Sequence, residues 1–162
     1  MISMRGMTSD PELSIIIPCY NEEDVIPILL DDINETFKLP DAPRIELILC
    51  DNGSGDRTGE IIDNEIIKNG YDFVKKIRID KNLGYGNGIF TGLKHSSCNV
   101  LAYMHADLQI RSKEVLKAYT IYKNSGENCV IKGKRKGKRS FLERTFTFFL
   151  GLIIQLVCGI KL

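Results

Sequence analysis

No two of the five cysteines, Cys19, Cys50, Cys98, Cys129 and Cys158, form a CxxC pair, and the chain holds only two histidines. That excludes a zinc site or a dithiol redox motif of the usual spacing. Thiols scattered this widely fit a reducing, cytoplasmic compartment, where a buried cysteine behaves as a small hydrophobe. The span from Met1 to Glu12 has no apolar core of the kind a signal peptide needs. The most apolar stretch, Phe146 to Ile160, is broken by Gly151, Gln155 and Gly159 and falls short of the ~20 residues that cross a bilayer. Net charge is only +1, so no global field points to nucleic acid. Internal repeats and low-complexity segments are absent. Two phosphate-binding fingerprints are also missing. Asn82-Leu83-Gly84-Tyr85-Gly86-Asn87-Gly88 spaces its glycines as GxGxG rather than GxGxxG, and Gly133 to Ser140 fails the P-loop pattern at Arg139.

What is present is the composition of one ordinary soluble domain: 162 residues, 43% hydrophobic and 27% charged. Apolar runs alternate with helical periodicity. Strands are expected at Leu13–Ile17, closed by Pro18, and at Ile45–Cys50, Phe73–Ile79, Val100–Met104 and Cys129–Lys132. Between them, Ile26, Leu29, Leu30, Ile33 and Phe37 recur at helical spacing, with Pro27 suited to a first turn. Asp56 or Thr58 suits the start of a helix bearing Ile62 and Ile66, and Ser112 one bearing Val115 and Tyr119. Gly88–Ser97 reads as a further helix. This alternation predicts an α/β, Rossmann-like fold with a mainly parallel sheet and helices on both faces. Residues 1–12 form an N-terminal extension, 13–140 the ligand-binding domain, and 141–162 an apolar helix. That helix ends abruptly at Leu162, as a fragment would.

Polar clusters follow the strands, at the sheet edge where open α/β folds bind ligands. After the first comes Pro18-Cys19-Tyr20-Asn21-Glu22-Glu23, with a ring for stacking and a carboxylate for a ribose; as a bare helix start, Asn21 would be its cap. After the second comes Cys50-Asp51-Asn52-Gly53-Ser54-Gly55-Asp56-Arg57-Thr58, which reads equally as a turn. After the fourth comes His105-Ala106-Asp107-Leu108-Gln109. Asp107 and Gln109 offer hard oxygens to a divalent cation, and a cation at a sheet edge commonly serves a phosphate. From Lys132 to Arg144 the chain carries seven basic residues and one acid, Glu143, beside the apolar segment. An anionic membrane surface attracts such a patch at roughly 1 kcal/mol per basic residue.

Together these clusters resemble the motifs of family 2 glycosyltransferases of the GT-A fold, most of all the branch that acts on dolichyl and polyprenyl phosphates. The resemblance spans nearly the whole chain. It implies inverting transfer from a nucleotide-diphosphate sugar to an acceptor such as a polyprenyl phosphate, assisted by Mn²⁺ or Mg²⁺, at the cytoplasmic membrane face. It places Pro18, Tyr20, Glu22, Cys50 and Asn52 on the nucleoside, and Ala106, Asp107 and Gln109 on the diphosphate and metal. Arg135 and Arg144 fall where they would neutralise the leaving diphosphate. Asp107 is the expected catalytic residue.

The chain departs from the family at three points. His105 replaces an acid of the metal motif, and imidazole suits Mn²⁺ better than Mg²⁺. Asn52 replaces a base-reading Asp, adding an N–H₂ to an accepting oxygen. The acceptor-side segment that follows in the family is missing. These departures keep open a non-catalytic nucleotide-binding module. A dinucleotide-dependent oxidoreductase fits poorly, because no glycines follow the first strand.

Overall fold

The structure, a computed structural model, describes residues 10–125 and 129–133. The compact unit that carries the site ends at Ile131. Its elements run β1 (Leu13–Cys19), α1 (Ile26–Phe37), β2 (Ile45–Asn52), α2 (Thr58–Asn69), β3 (Val74–Ile79), α3 (Tyr85–Lys94), β4 (Leu101–Tyr103) and α4 (Ser112–Ser125). The strands form one sheet in the order β3-β2-β1-β4, and every neighbouring pair is parallel.

The two central strands are apolar runs, and both are buried along their whole length. Continuous burial is what a parallel sheet with both faces covered demands. One face carries Ile15, Ile17, Leu47 and Leu49, which join the buried stripe Ile26, Leu29, Leu30 and Ile33 of α1. On that side α1 contacts both α2 and α4. The other face carries Ile16, Ile48 and Cys50 and is covered by α3.

Where α3 lies explains its glycines. It begins at Tyr85 rather than Gly88, and takes in Gly86, Gly88 and Gly92. A Cβ on Gly88 would sit 2.8 Å from Pro18 Cβ, and one on Gly92 would collide with Ile16 and Cys50. The glycine-rich segment is thus a helix shaved to lie close on the sheet.

The expected fifth strand is absent among the described residues: no strand forms over 129–133, and Val130 is 93% exposed. A short apolar run becomes a strand only with a ladder partner. The adjacent edge strand, β4, is three residues long and pairs only with β1.

At the amino end of the sheet, Glu46 on β2 is almost completely buried. Its carboxylate accepts from Ser14 Oγ (2.6 Å), Lys75 Nζ (2.6 Å), and the N–H and hydroxyl of Ser97. It therefore ties β1, β2, β3 and the α3–β4 connection together. Burial alone would raise its carboxyl; the hydrogen bonds from Lys75, Ser14 and Ser97 outweigh it and hold the group at about 2. At α4, Asp32 of α1 accepts from the Ser112 N–H (2.9 Å) and from Arg111, satisfying an orphan donor of the first turn.

Candidate functional site

Among the described strands, the connection changes direction between β1 and β4. The β1–β4 ladder ends for a chemical reason. Ser14 N–H bonds to Val100 O, and Met104 N–H bonds to Ile16 O. The next rung needs an N–H at residue 18, which is proline. Pairing with β4 stops at Ile16↔Tyr103, while pairing with β2 continues to Cys19↔Asp51. Pro18 thus closes one side of β1 and not the strand itself, and a crevice opens at this switch point. Its volume is about 270 Å³, near the lower end of what ligand pockets enclose.

Three strand ends and the start of α3 supply its walls: Pro18, Cys19, Tyr20 and Glu22; Asn52; Asn82, Gly84 and Tyr85; and His105, Ala106 and Asp107. Of the residues expected at a ligand site, Pro18, Tyr20, Glu22, Asn52, His105, Ala106 and Asp107 come together here. Cys50 lies elsewhere, fully buried under α3, where burial pushes its thiol up to about 11. Arg135 and Arg144 lie outside the described residues.

After β4 the burial pattern alternates. Met104 and Ala106 are buried and Leu108 half-buried, while His105, Asp107 and Gln109 are exposed. Leu108 packs against the main core with φ at 58°, in the left-handed region that costs a leucine roughly 1–2 kcal/mol. That turn lets the Gln109 N–H donate to Asp107 Oδ1 at 3.1 Å. No group of three or more His, Cys, Asp or Glu gathers among the described residues. The donor set offers the carboxylates of Asp107 and Glu22, both of which line the crevice.

Their charges feel one another. Burial raises the Glu22 carboxyl, and the negative charges of Asp107 and Asp56 raise it further. Burial also raises the Tyr85 phenol, with Tyr103 and Asp107 adding to it. Cys19 is fully buried, and its thiol is pushed well up by burial first and then by Cys50, Glu22 and Asp51. It is no nucleophile at neutral pH.

Many polar residues of the first two clusters serve each other. Asn21 does not cap α1, whose N-cap is Val25. It sits at φ 56°, accepts the Gly55 N–H at 2.9 Å, and gives its own N–H to Ser54 Oγ at 3.1 Å. Glu22 N–H donates to Thr58 Oγ1 (2.8 Å) and Glu23 N–H to Asp56 Oδ2 (3.3 Å). Asp56 also accepts the Thr58 N–H at the start of α2. These bonds staple the loop after β1 to the loop after β2 and fix where Tyr20 and Glu22 stand. Asp51 is buried and paired with Arg78, and it accepts the Ser54 N–H at 3.0 Å. Gly53 completes the turn at φ 73°, where a Cβ would lie 2.7 Å from Asn82 N.

Asn52 is different. Asn82 Oδ1 accepts the Gly84 N–H at 2.8 Å, so the Asn52 atom 3.0 Å from that oxygen is the amide nitrogen. The same nitrogen donates to Gly84 O at 3.1 Å. Asn52 Oδ1 is left buried with no partner. An unmet buried acceptor costs about 1–3 kcal/mol, which marks this floor as a place that lacks a hydrogen-bond donor. Asn82 and Gly84 were legible only as a glycine-rich loop; their partner lies some thirty residues away, beyond any local signal.

A family model described as glycosyl transferase family 2 matches residues 14–153. The undecaprenyl-phosphate 4-deoxy-4-formamido-L-arabinose transferase of Yersinia enterocolitica is 26% identical over 148 residues, which is 91% of this chain and 44% of that protein. The dolichyl-phosphate beta-glucosyltransferase of Dictyostelium discoideum is 27% identical over 165 residues, 92% of this chain and 50% of that protein. The chain therefore spans half or less of the length of these relatives. Among solved structures, a mannosyltransferase of Pyrobaculum calidifontis in complex with GDP-Man and Mn²⁺ aligns with a TM-score of 0.54 at 25% identity, over 62% of this chain and 28% of that one. S. aureus TarS aligns with a TM-score of 0.57 at 22% identity, over 70% and 32%, and shares the fold. The α/β, GT-A architecture expected from the motifs is the one observed.

Proposed function

The chain belongs to glycosyl transferase family 2, and from that premise we propose that it moves a sugar, with inversion, from a nucleotide-diphosphate sugar to a polyprenyl phosphate. The observation that carries this reading is the convergence of Pro18, Tyr20, Glu22, Asn52, Ala106 and Asp107 on one crevice at the switch point of the sheet. The names of two relatives, which act on undecaprenyl and dolichyl phosphates, support the acceptor class.

In this reading Tyr20 stacks on the base and Glu22 accepts from the ribose. Asn52 Oδ1 takes the base N–H that it lacks in the protein. The donor chemistry fits a divalent cation: a hard cation such as Mg²⁺ is commonly held by one or two carboxylates and completed by substrate phosphates and water, so a three-ligand protein cage is unnecessary. Asp107 would hold it, with Gln109 and Glu22 close by in the chain or across the crevice. Such a cation supplies Lewis acidity to the departing diphosphate. Arg135 and Arg144 would add positive charge there, where it develops in the transition state. A lipid phosphate is already anionic at neutral pH, so attack needs no strong general base. No described helix is long and apolar enough to cross a membrane. The acceptor would be met at the cytoplasmic membrane surface, to which the basic run from Lys132 to Arg144 would be attracted.

The test is transfer itself. With UDP-glucose or GDP-mannose and vesicles containing undecaprenyl or dolichyl phosphate, the protein is expected to release nucleoside diphosphate and form a glycolipid of inverted anomeric configuration. EDTA should stop both. Nucleotide release from neither sugar, with acceptor and Mn²⁺ present, would count against the reading.

A further inference from the structure

His105 stands where the family it resembles carries an acid, and its ring has found a different partner. It lies flat against Tyr85, with ring centroids 4.5 Å apart and planes 9° from parallel. Tyr85 opens α3, and His105 follows the end of β4, so the stack joins the two elements along one wall of the crevice. Stacking fixes the plane of the imidazole and leaves its edge open. No described residue hydrogen-bonds to either ring nitrogen, and the side chain is exposed.

The charges around it say what that edge can meet. The described walls carry two carboxylates, Glu22 and Asp107, and no lysine or arginine. The Glu22 carboxyl is raised by burial first, and then by the negative charges of Asp107 and Asp56. A diphosphate entering this space brings more negative charge. An acid at position 105 would repel it unless a cation intervened. An imidazole removes that repulsion and presents an N–H instead. The first turn of α3, the positive end of its dipole, begins on the same wall.

We infer that His105, held in plane by Tyr85, donates a hydrogen bond directly to an oxygen of the bound diphosphate, a contact that requires no metal. This rests on the reading of the crevice as a nucleotide site. It removes His105 from the cation's ligands and leaves that task to the carboxylates. Part of the affinity for diphosphate then survives without metal.

Calorimetric titration in EDTA tests this, comparing UDP with uridine and GDP with guanosine on the unaltered protein, His105→Phe, His105→Asp and Tyr85→Leu. For the base that binds, the diphosphate is expected to bind about tenfold tighter than its nucleoside without metal. His105→Phe keeps a ring to stack and loses both nitrogens, so the two ligands should bind equally. His105→Asp should make the diphosphate the weaker ligand in EDTA and steepen its gain on adding Mn²⁺. Tyr85→Leu should lose part of the preference. Nucleoside affinity reports whether each variant keeps its crevice. A full preference in His105→Phe, or nucleoside binding without any diphosphate gain in the unaltered protein, overturns the inference and spares the nucleotide site. Binding of neither nucleosides nor diphosphates in EDTA overturns the inference, and binding of neither with Mn²⁺ as well overturns the nucleotide reading too.

Discussion

Asp107→Ala is expected to lower sugar transfer by about a thousandfold or more, and to remove the gain in nucleotide affinity that Mn²⁺ gives. The residue is exposed at the carboxyl end of β4, on a turn held in place by the half-buried Leu108. Its carboxylate shares the crevice with that of Glu22, whose carboxyl is raised by burial first and then by Asp107 and Asp56. Removing Asp107 therefore takes away the most accessible carboxylate that can meet both a cation and a diphosphate. The same change relieves the charge on Glu22, so the fold should not suffer. Its unfolding midpoint is expected to stay within a degree or two of the unaltered protein, as surface substitutions commonly do. Metal-free nucleoside binding should persist, because Tyr20 and Asn52 are untouched. Transfer that continues at the original rate in Asp107→Ala would remove this residue from the chemistry.

Glu46→Ala is expected to act on the opposite end of the sheet and on stability alone. It leaves the Ser14 and Ser97 hydroxyls, the Ser97 N–H and the Lys75 ammonium without their shared acceptor. The Ser14 hydroxyl is buried and loses its partner, while Ser97 and Lys75 reach water, so the cost is about 1–3 kcal/mol. The pH dependence follows from the direction of the shift. The carboxyl is held at about 2 in the folded chain, against 4.5 ordinarily. A depressed carboxyl contributes stability that is present above its ordinary value and is lost as pH falls toward the folded one. The contribution is about 3 kcal/mol at neutral pH, fading between roughly pH 5 and 2. Denaturant unfolding at a series of pH values should show the unaltered protein weakening steeply through that window and Glu46→Ala weakening less. Parallel curves for the two proteins would show that the cluster contributes nothing of this kind.

The strands and the helical stripes were legible because one physical signal dominates each. Leu13–Cys19 and Ile45–Asn52 are buried on both faces, so their apolar runs are continuous and survive any error in register. The cluster from His105 to Gln109 was legible from its place directly after an apolar run. Other features were not, and each lost to a specific competitor. Residues 85–87 read locally as loop, yet α3 begins at Tyr85, and its Gly88 and Gly92 let it approach Pro18, Ile16 and Cys50. Cys129–Lys132 has strand composition, yet no strand forms there among the described residues. Asn21 and Asp56 are good caps by type. Each instead bonds mainly or partly to the neighbouring loop, some thirty-three residues away in sequence. That separation also hid the Asn52–Asn82 pair and the stacking of His105 on Tyr85. Local rules locate the edge of the sheet where a site can form. They do not say which polar residues hold that edge together and which are left for a ligand.

The central claim is that the crevice between β1 and β4 binds a nucleoside diphosphate with help from a cation. Thermal unfolding of the chain with UDP, GDP and CDP, each with Mn²⁺, Mg²⁺ or EDTA, tests it most directly. A ligand at a hundred times its dissociation constant adds about 2.7 kcal/mol to the folded state. One diphosphate should raise the midpoint clearly with Mn²⁺ and much less in EDTA, and Asp107→Ala should respond equally in both. A chain that no nucleoside diphosphate stabilises, with metal or without it, would contradict the account.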